Sequence, residues 1–280
     1  MTTPTRPPYA HGWRLFWRAV RGRAFPRLVA LRRERDWLLL DIVLPLMSVA
    51  AYVFVYRALR APEAYIGFVL LGGAMTAFWL NVLWGMATQL FWEKQSGNLP
   101  LYIISPAPLM ALLLGMALGG MANSTARAVA ILTLGSWLFG VDFQVAAWLP
   151  LLAVFVLTLS ALYGLGMVSA SLFLLSGRGA LHISTLAQEP VYLLSGFYFP
   201  VKALPFWAAA AASLIPLTLG LDAMRQLSFP NGASFGLWRV SVEVAALAGM
   251  TVLFIALARW TLDIMERRAR RDARLTERMD

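Results

Sequence analysis

From Tyr65 to Phe91, and again from Val145 to Leu175, the chain carries no charged residue at all. An α-helix needs about 20 consecutive apolar residues to cross the ~30 Å hydrocarbon core of a bilayer. Runs longer than that cannot be buried one after another inside a soluble domain of this size. Four further apolar runs, each with only a charge or two, extend from about Trp37 to Tyr56, Leu109 to Leu138, Leu181 to Pro200 and Val240 to Trp260. Charged residues make up 14% of the 280, against roughly a quarter in soluble domains. The fold class expected is therefore an all-α integral membrane protein with six transmembrane helices.

The charge that is present sits at the ends. Residues 1–36 hold nine Arg and two acids, and residues 259–280 hold seven Arg and five acids. The middle of the chain is almost balanced. Basic ends around an apolar body indicate cytoplasmic anchoring under the positive-inside rule, so both termini are expected in the cytoplasm of a plasma (inner) membrane protein. The net charge of +10 consequently belongs to membrane topology, and no nucleic-acid partner is expected. Cysteine is absent, and the two histidines, His11 and His182, have no ligand spacing; no metal site and no catalytic residue is expected.

The N-terminal segment, 1–36, has no signal-peptide core. Trp13, Phe16, Trp17, Val20 and Ala24 recur at helical spacing, with Arg14, Arg18 and Arg21 on other faces. That pattern suits an amphipathic interfacial helix, in contact with membrane lipid and broken at Pro26. The transmembrane domain follows at 37–262, and 263–280 forms a basic cytoplasmic tail. Between the fifth and last spans, 203–221 is apolar, but Pro205 and Pro216 bracket only Phe206 to Ile215, about 15 Å of helix. Counting it as a crossing would put the tail outside. An outer re-entrant helical hairpin, packed at the mouth of a pathway, avoids both difficulties.

A P-loop needs a lysine after glycine, and the two lysines here, Lys94 and Lys202, follow Glu93 and Val201. ATP hydrolysis, if it drives this protein, must come from another subunit. The stretch Phe91-Trp92-Glu93-Lys94-Gln95-Ser96-Gly97-Asn98-Leu99 followed by Ile103-Ile104-Ser105-Pro106 resembles the loop after the second span of ABC transporter type-2 permeases. Phe139-Gly140-Val141 is similar to that family's third-span exit. Val191 to Pro200, Leu204-Pro205-Phe206-Trp207, Ile215-Pro216-Leu217-Thr218 and Leu221 to Arg225 are similar to its second landmark. One position departs: Pro100 stands where the family usually has a glutamate, so a contact through that glutamate is not carried over.

The resemblance implies a second permease subunit, as homo- or heterodimer, and a separate ATP-binding-cassette ATPase subunit that holds ATP and magnesium; no cofactor is expected on this chain. It also implies that the N-terminal helix (Trp13, Phe16, Trp17, Arg18) and the cytoplasmic coupling loop 92–108 (Glu93, Gly97, Leu99, Leu101, Ser105, Pro106) form the docking surface, and that 203–221 is a pair of short outer helices. Glu93 is expected to meet a basic group of the partner or to cap its own helix, and Leu99, Leu101 and Ile104 to offer apolar knobs.

Within the spans, Gly115 and Gly119 form a GxxxG for close packing, inside the subunit in preference to a dimer seam. Arg127 falls near mid-membrane, where an arginine costs about 2.5–3.5 kcal/mol on insertion scales; Glu189 is the expected partner. Asp222 and Arg225 read as a local surface pair. The expected function is a non-enzymatic transport subunit, the permease of an exporter for a lipid, glycan or drug-like substrate. A stand-alone secondary transporter would call for ionisable residues at several depths or an internal repeat. An intramembrane enzyme would call for a nucleophile with its base. Neither pattern stands out.

Overall fold

The structure, a computed structural model, describes residues 12–271 apart from 34, 146, 177, 178, 230 and 231. Residues 1–11, residues 177 and 178 and the expected tail beyond 271 therefore lie outside the described residues. Every regular element among those described is helical: α1 (Trp13–Arg33), α2 (Arg35–Ala58), α3 (Ala64–Val82), a π-helical turn (Leu83–Ala87), α4 (Gln89–Gln95), α5 (Leu99–Ile104), α6 (Leu109–Phe139), α7 (Trp148–Ser176), α8 (Gly179–Leu194), α9 (Phe206–Ala212), α10 (Pro216–Ser228) and α11 (Val240–Arg271).

Five helical runs are long and apolar enough to cross a membrane: Leu39–Ala58, Ala64–Gln95, Leu109–Phe139, Trp148–Leu174 and Val240–Arg267. The chain is a multi-pass membrane protein. The count rises to six if α9 and α10, bent by 103° at their junction, are taken as one broken span. Expected and observed boundaries agree closely for the first four runs. The fifth departs: α8 stops at Leu194 and has 16 residues, about 24 Å, because Gly196 turns into the left-handed region at φ 71°. The last helix runs well past the expected Trp260, to Arg271.

The centre of the bundle is the run α3, π-turn and α4. A helix apolar all round belongs inside, and α3 is buried on every face from Ile66 to Trp79. It packs antiparallel on α6, with Gly135 against Leu70 and Ser124 Oγ donating to the Ala77 carbonyl at 3.0 Å. α7 also packs on α3, and α7 and α11 run parallel to each other. Thr251 Oγ1 donates to the Leu157 carbonyl at 3.3 Å, Gly164 faces Phe254, and Ser171 and Thr261 share a hydrogen bond of 3.1 Å.

α8 lies along the second run in the opposite sense. Leu181 packs with Phe91 and Phe173, Trp84 Nε1 donates to Gln188 Oε1 at 2.8 Å, and the Phe197 carbonyl sits on Gly72. Glycine is required at 72, since any Cβ would run into that carbonyl. α10 packs against α7 with Gly220 on Thr158.

Pro26 does not break the N-terminal helix, as the sequence had suggested; α1 continues through it to Arg33. A proline inside a helix leaves the carbonyl four residues earlier unpaired. Here that residue is Gly22, and both Gly22 and Pro26 are on the exposed face, where the carbonyl can find another donor. The opposite face of α1 lies on α6: Val20 and Arg23 cover Gly115, and Ala24 and Arg27 cover Gly119. The GxxxG thus seats a helix of the same subunit.

Candidate functional site

α4 and α5 form a compact helical element at the end of the second run. Gly97 makes the turn between them. Its φ is 74°, its N–H donates to the Lys94 carbonyl at 3.0 Å, and the Asn98 N–H donates to the Glu93 carbonyl at 2.9 Å. This pair of bonds is a Schellman cap, which needs a residue free to enter the left-handed region. At the far end Ser105 Oγ accepts the Ala107 N–H at 3.2 Å, and exposed Pro106 sends the chain into α6. What the sequence showed as a loop is two short helices with a built turn on either side of α5.

Glu93 is buried beneath this element. It forms an ion pair with Arg23 of α1 and accepts hydrogen bonds from Gln89 Nε2 at 3.0 Å, Asn98 Nδ2 at 3.2 Å and Tyr102 Oη at 3.3 Å. Where the sequence led to a basic group of the partner or a cap on its own helix, the basic group that Glu93 meets in the structure is Arg23 of its own chain. Arg23 also stacks over the Tyr102 ring, 5.4 Å from its centroid. Burial, against the opposing pull of Arg23, pushes the Tyr102 phenol above its usual pKa. One turn further along α1, Arg27 donates to the Gly85 carbonyl at 2.7 Å, to Gln89 Oε1 at 3.0 Å and to the Met116 carbonyl at 3.1 Å. Burial and the neighbouring Arg23 lower the Arg27 pKa, but a guanidinium remains charged. Two arginines thus fasten α1 to the π-turn, α4 and α6.

The apolar residues of α5 divide between two faces. Leu99 and Ile103, four apart, point inward, and Leu99 is 0% exposed. Leu101 and Ile104, three apart, point outward at 61% and 78% exposure, and Trp92 of α4 is also exposed. Of the expected knobs, Leu99 is thus a support inside the fold and cannot reach a partner. On α1, Trp13 is exposed, Phe16 and Trp17 are half-buried and Arg18 is exposed. The three rings form a cluster with centroids 5.5–5.9 Å apart.

The intramembrane charges are arranged differently from expectation. Arg127 Nη1 lies 3.1 Å from Asp41 Oδ2 on α2, and Glu189 is elsewhere. α2 runs beside α6 whereas α8 does not, so Asp41 is the carboxylate within reach. Glu189 accepts a hydrogen bond from the adjacent Gln188 amide at 3.3 Å and lines a cavity with Ser48, Tyr52, Tyr192 and Tyr198.

Asp222 and Arg225 are not a surface pair; both are buried. Arg225 donates to the carbonyls of Phe68 and Phe197 at 2.9 Å each and of Phe199 at 3.3 Å. Asp222 Oδ2 accepts the Leu237 N–H at 2.7 Å. Together they fasten α10 to α3 and to the turns on either side of the hairpin. Their three-residue spacing suits a surface pair; the unpaired carbonyls that Arg225 answers have no mark in the sequence.

The family model described as ABC-2 type transporter matches residues 27–229. That range takes in most of the elements described above, from the second half of α1 to the end of α10. The protein named probable multidrug ABC transporter permease YbhR, of Escherichia coli strain K12, is 25% identical over 150 residues, which is 52% of this chain and 39% of that protein. The inner membrane transport permease YadH of the same strain is 25% identical over 174 residues, 59% of this chain and 67% of that protein. The chain thus matches about two fifths of the length of YbhR.

Proposed function

The chain belongs to the ABC-2 type transporter family, and from that premise we propose that it forms the translocation pathway of an exporter driven by a separate ATP-binding-cassette subunit. A transport subunit rather than an enzyme is what this family membership indicates. The observation that carries the coupling part of the proposal is the exposed apolar face of Trp92, Leu101 and Ile104. It is mounted on an element whose underside is tied by Glu93 and Arg23 to α1. A small apolar knob on a rigid, charge-clamped base suits a site that must transmit a push. Closure of the ATPase dimer would press on α4 and α5 and be passed through Glu93 and Arg27 to α1, α6 and the π-turn.

Six spans with both termini cytoplasmic are proposed, with α8 as the fifth crossing and α9–α10 as a re-entrant hairpin. Parallel α7 and α11 support this, since the chain between them must return once to the outer side. α8 follows the second run from Phe91 to Gly72, 19 residues or about 28 Å of helix, near the thickness of the hydrocarbon core. α9 and α10, of seven and thirteen residues, are each too short to cross alone. The aromatic cluster at Trp13, Phe16 and Trp17 is proposed to rest in the inner interface. The multidrug wording in the name of YbhR favours drug-like amphiphiles among the possible substrates.

The test is the double variant Leu101→Asp, Ile104→Asp. It should insert and purify normally, because both side chains are already exposed, but lose co-purification with the ATPase subunit and transport-linked ATP turnover. A double variant that assembles and transports at wild-type rates would rule out this face as the coupling surface.

A further inference from the structure

Between α2 and α8 lies a cleft of about 360 Å³, within the size range of small-molecule sites. Ser48 and Tyr52 line it from α2, Glu189 and Tyr192 from α8, and Tyr198 and Phe199 from the turn that follows. The rings of Tyr52 and Tyr198 are stacked, 4.0 Å between centroids and 12° between planes. The backbone of that turn is held from both sides: Tyr56 Oη donates to the Tyr198 carbonyl at 2.8 Å, and Arg225 to the Phe199 carbonyl at 3.3 Å. The backbone that carries the aromatic wall is therefore tied to both α2 and α10.

We propose that this cleft binds a lipophilic organic cation, with the aromatic rings as its cradle and the Glu189 carboxylate as its counter-charge. The proposal deepens the reading of the chain as a transport subunit, and rests on it, by naming a substrate class. Four lines of chemistry converge on a positive charge. The faces of aromatic rings carry negative potential and attract cations. Glu189 is exposed on α8, and a carboxylate on a membrane-spanning helix is costly unless compensated. No cationic side chain lines the cleft, and the ion pairs seen at Arg23–Glu93 and Arg127–Asp41 leave Glu189 without an observed one among the described residues. A hard metal ion would demand several oxygen ligands around one point, whereas one carboxylate among rings suits a diffuse, bulky cation.

The experiment uses the full chain in lipid nanodiscs and needs no ATPase, so it is read independently of the coupling test above. Equilibrium binding of radiolabelled tetraphenylphosphonium is measured against empty nanodiscs, with tetraphenylborate as the probe of the same shape and opposite charge. Saturable binding of the phosphonium and none of the borate is expected. Glu189→Gln should weaken it roughly tenfold or more, and Tyr52→Leu several-fold, while Glu189→Asp retains most of it. If Glu189→Gln does not purify as a single species, Tyr52→Leu set against Tyr52→Phe carries the same comparison from the α2 side, with loss in the first and retention in the second expected. Equal binding by the wild type and these variants overturns the proposal, as does borate binding as tight as the phosphonium. A change in subunit association alone, with phosphonium binding intact, would assign Glu189 to a contact between copies and likewise overturn it.

Discussion

With Val20→Cys as the single thiol in a chain that has no native cysteine, replacing Glu93 by alanine should greatly speed labelling of that thiol. Val20 is 1% exposed, pressed between α1 and α6 over Gly115, so a reagent reaches position 20 only when α1 lifts. Glu93→Ala removes the partner of Arg23 and an acceptor used by Gln89, Asn98 and Tyr102. Breaking a buried pair by deleting one member costs about 3–5 kcal/mol. The Arg23 side chain is 27% exposed, so water recovers part of that and leaves about 2–3 kcal/mol. At 1.4 kcal/mol per factor of ten, opening becomes roughly 30- to 150-fold more frequent. Glu93→Gln, which keeps an acceptor oxygen, should fall in between. The assay is the pseudo-first-order rate of maleimide labelling in nanodiscs, with a cysteine at exposed Trp13 as the reference for reagent reactivity. Rates for Glu93→Ala within twofold of the parent would refute the clamp, and with it the path by which a push on α5 reaches α1.

Two further outcomes are expected. In a double-mutant cycle on denaturation midpoints, Arg127→Leu and Asp41→Leu should show a coupling of about 1–3 kcal/mol, the double variant being more stable than additivity allows; plain additivity would remove the pairing, while Glu189→Gln in the same background should add independently. Gly72→Ala should lower the yield of folded protein severely, because the new methyl runs into the backbone carbonyl of Phe197, whereas Gly22→Ala, with open space around it, should be neutral or stabilising by up to about 1 kcal/mol on thermal melting; equal behaviour of the two variants would contradict the packing of the Phe197 turn on α3.

The helix boundaries were legible because apolar runs end at residues with simple physics. Gly140 at φ 69° closes α6, and Pro205 and Pro216 bracket α9. What a helix faces was much less legible. The stripe of Trp13, Phe16, Val20 and Ala24 looks the same whether it meets lipid or protein, and its second half turned out to meet α6. Leu99 and Leu101 could have been told apart: once 99–104 is treated as a helix, Leu99 and Ile103 share one face and Leu101 and Ile104 the other. Asp41 is also visible as the lone acid in the first apolar run, and in charge it suits Arg127 as well as Glu189 does. Arg225 could not have been found this way, because its partners are backbone carbonyls brought together only by the tertiary fold.

The π-helical turn Leu83–Ala87 has a consequence for angular phase. A π-turn accommodates one residue more than the α-helix it interrupts, and one residue is worth about 100° of rotation around the axis. The side chains of α4 are thus dialled by that amount from where a straight continuation of α3 would have put them. This setting is what brings Glu93 under Arg23 while Trp92, its neighbour, faces out. A chain shortened by one residue within 83–87 would keep an apolar run long enough to cross, yet present a different face of α4 to α1. Phase, more than hydrophobicity, is what such a span must conserve.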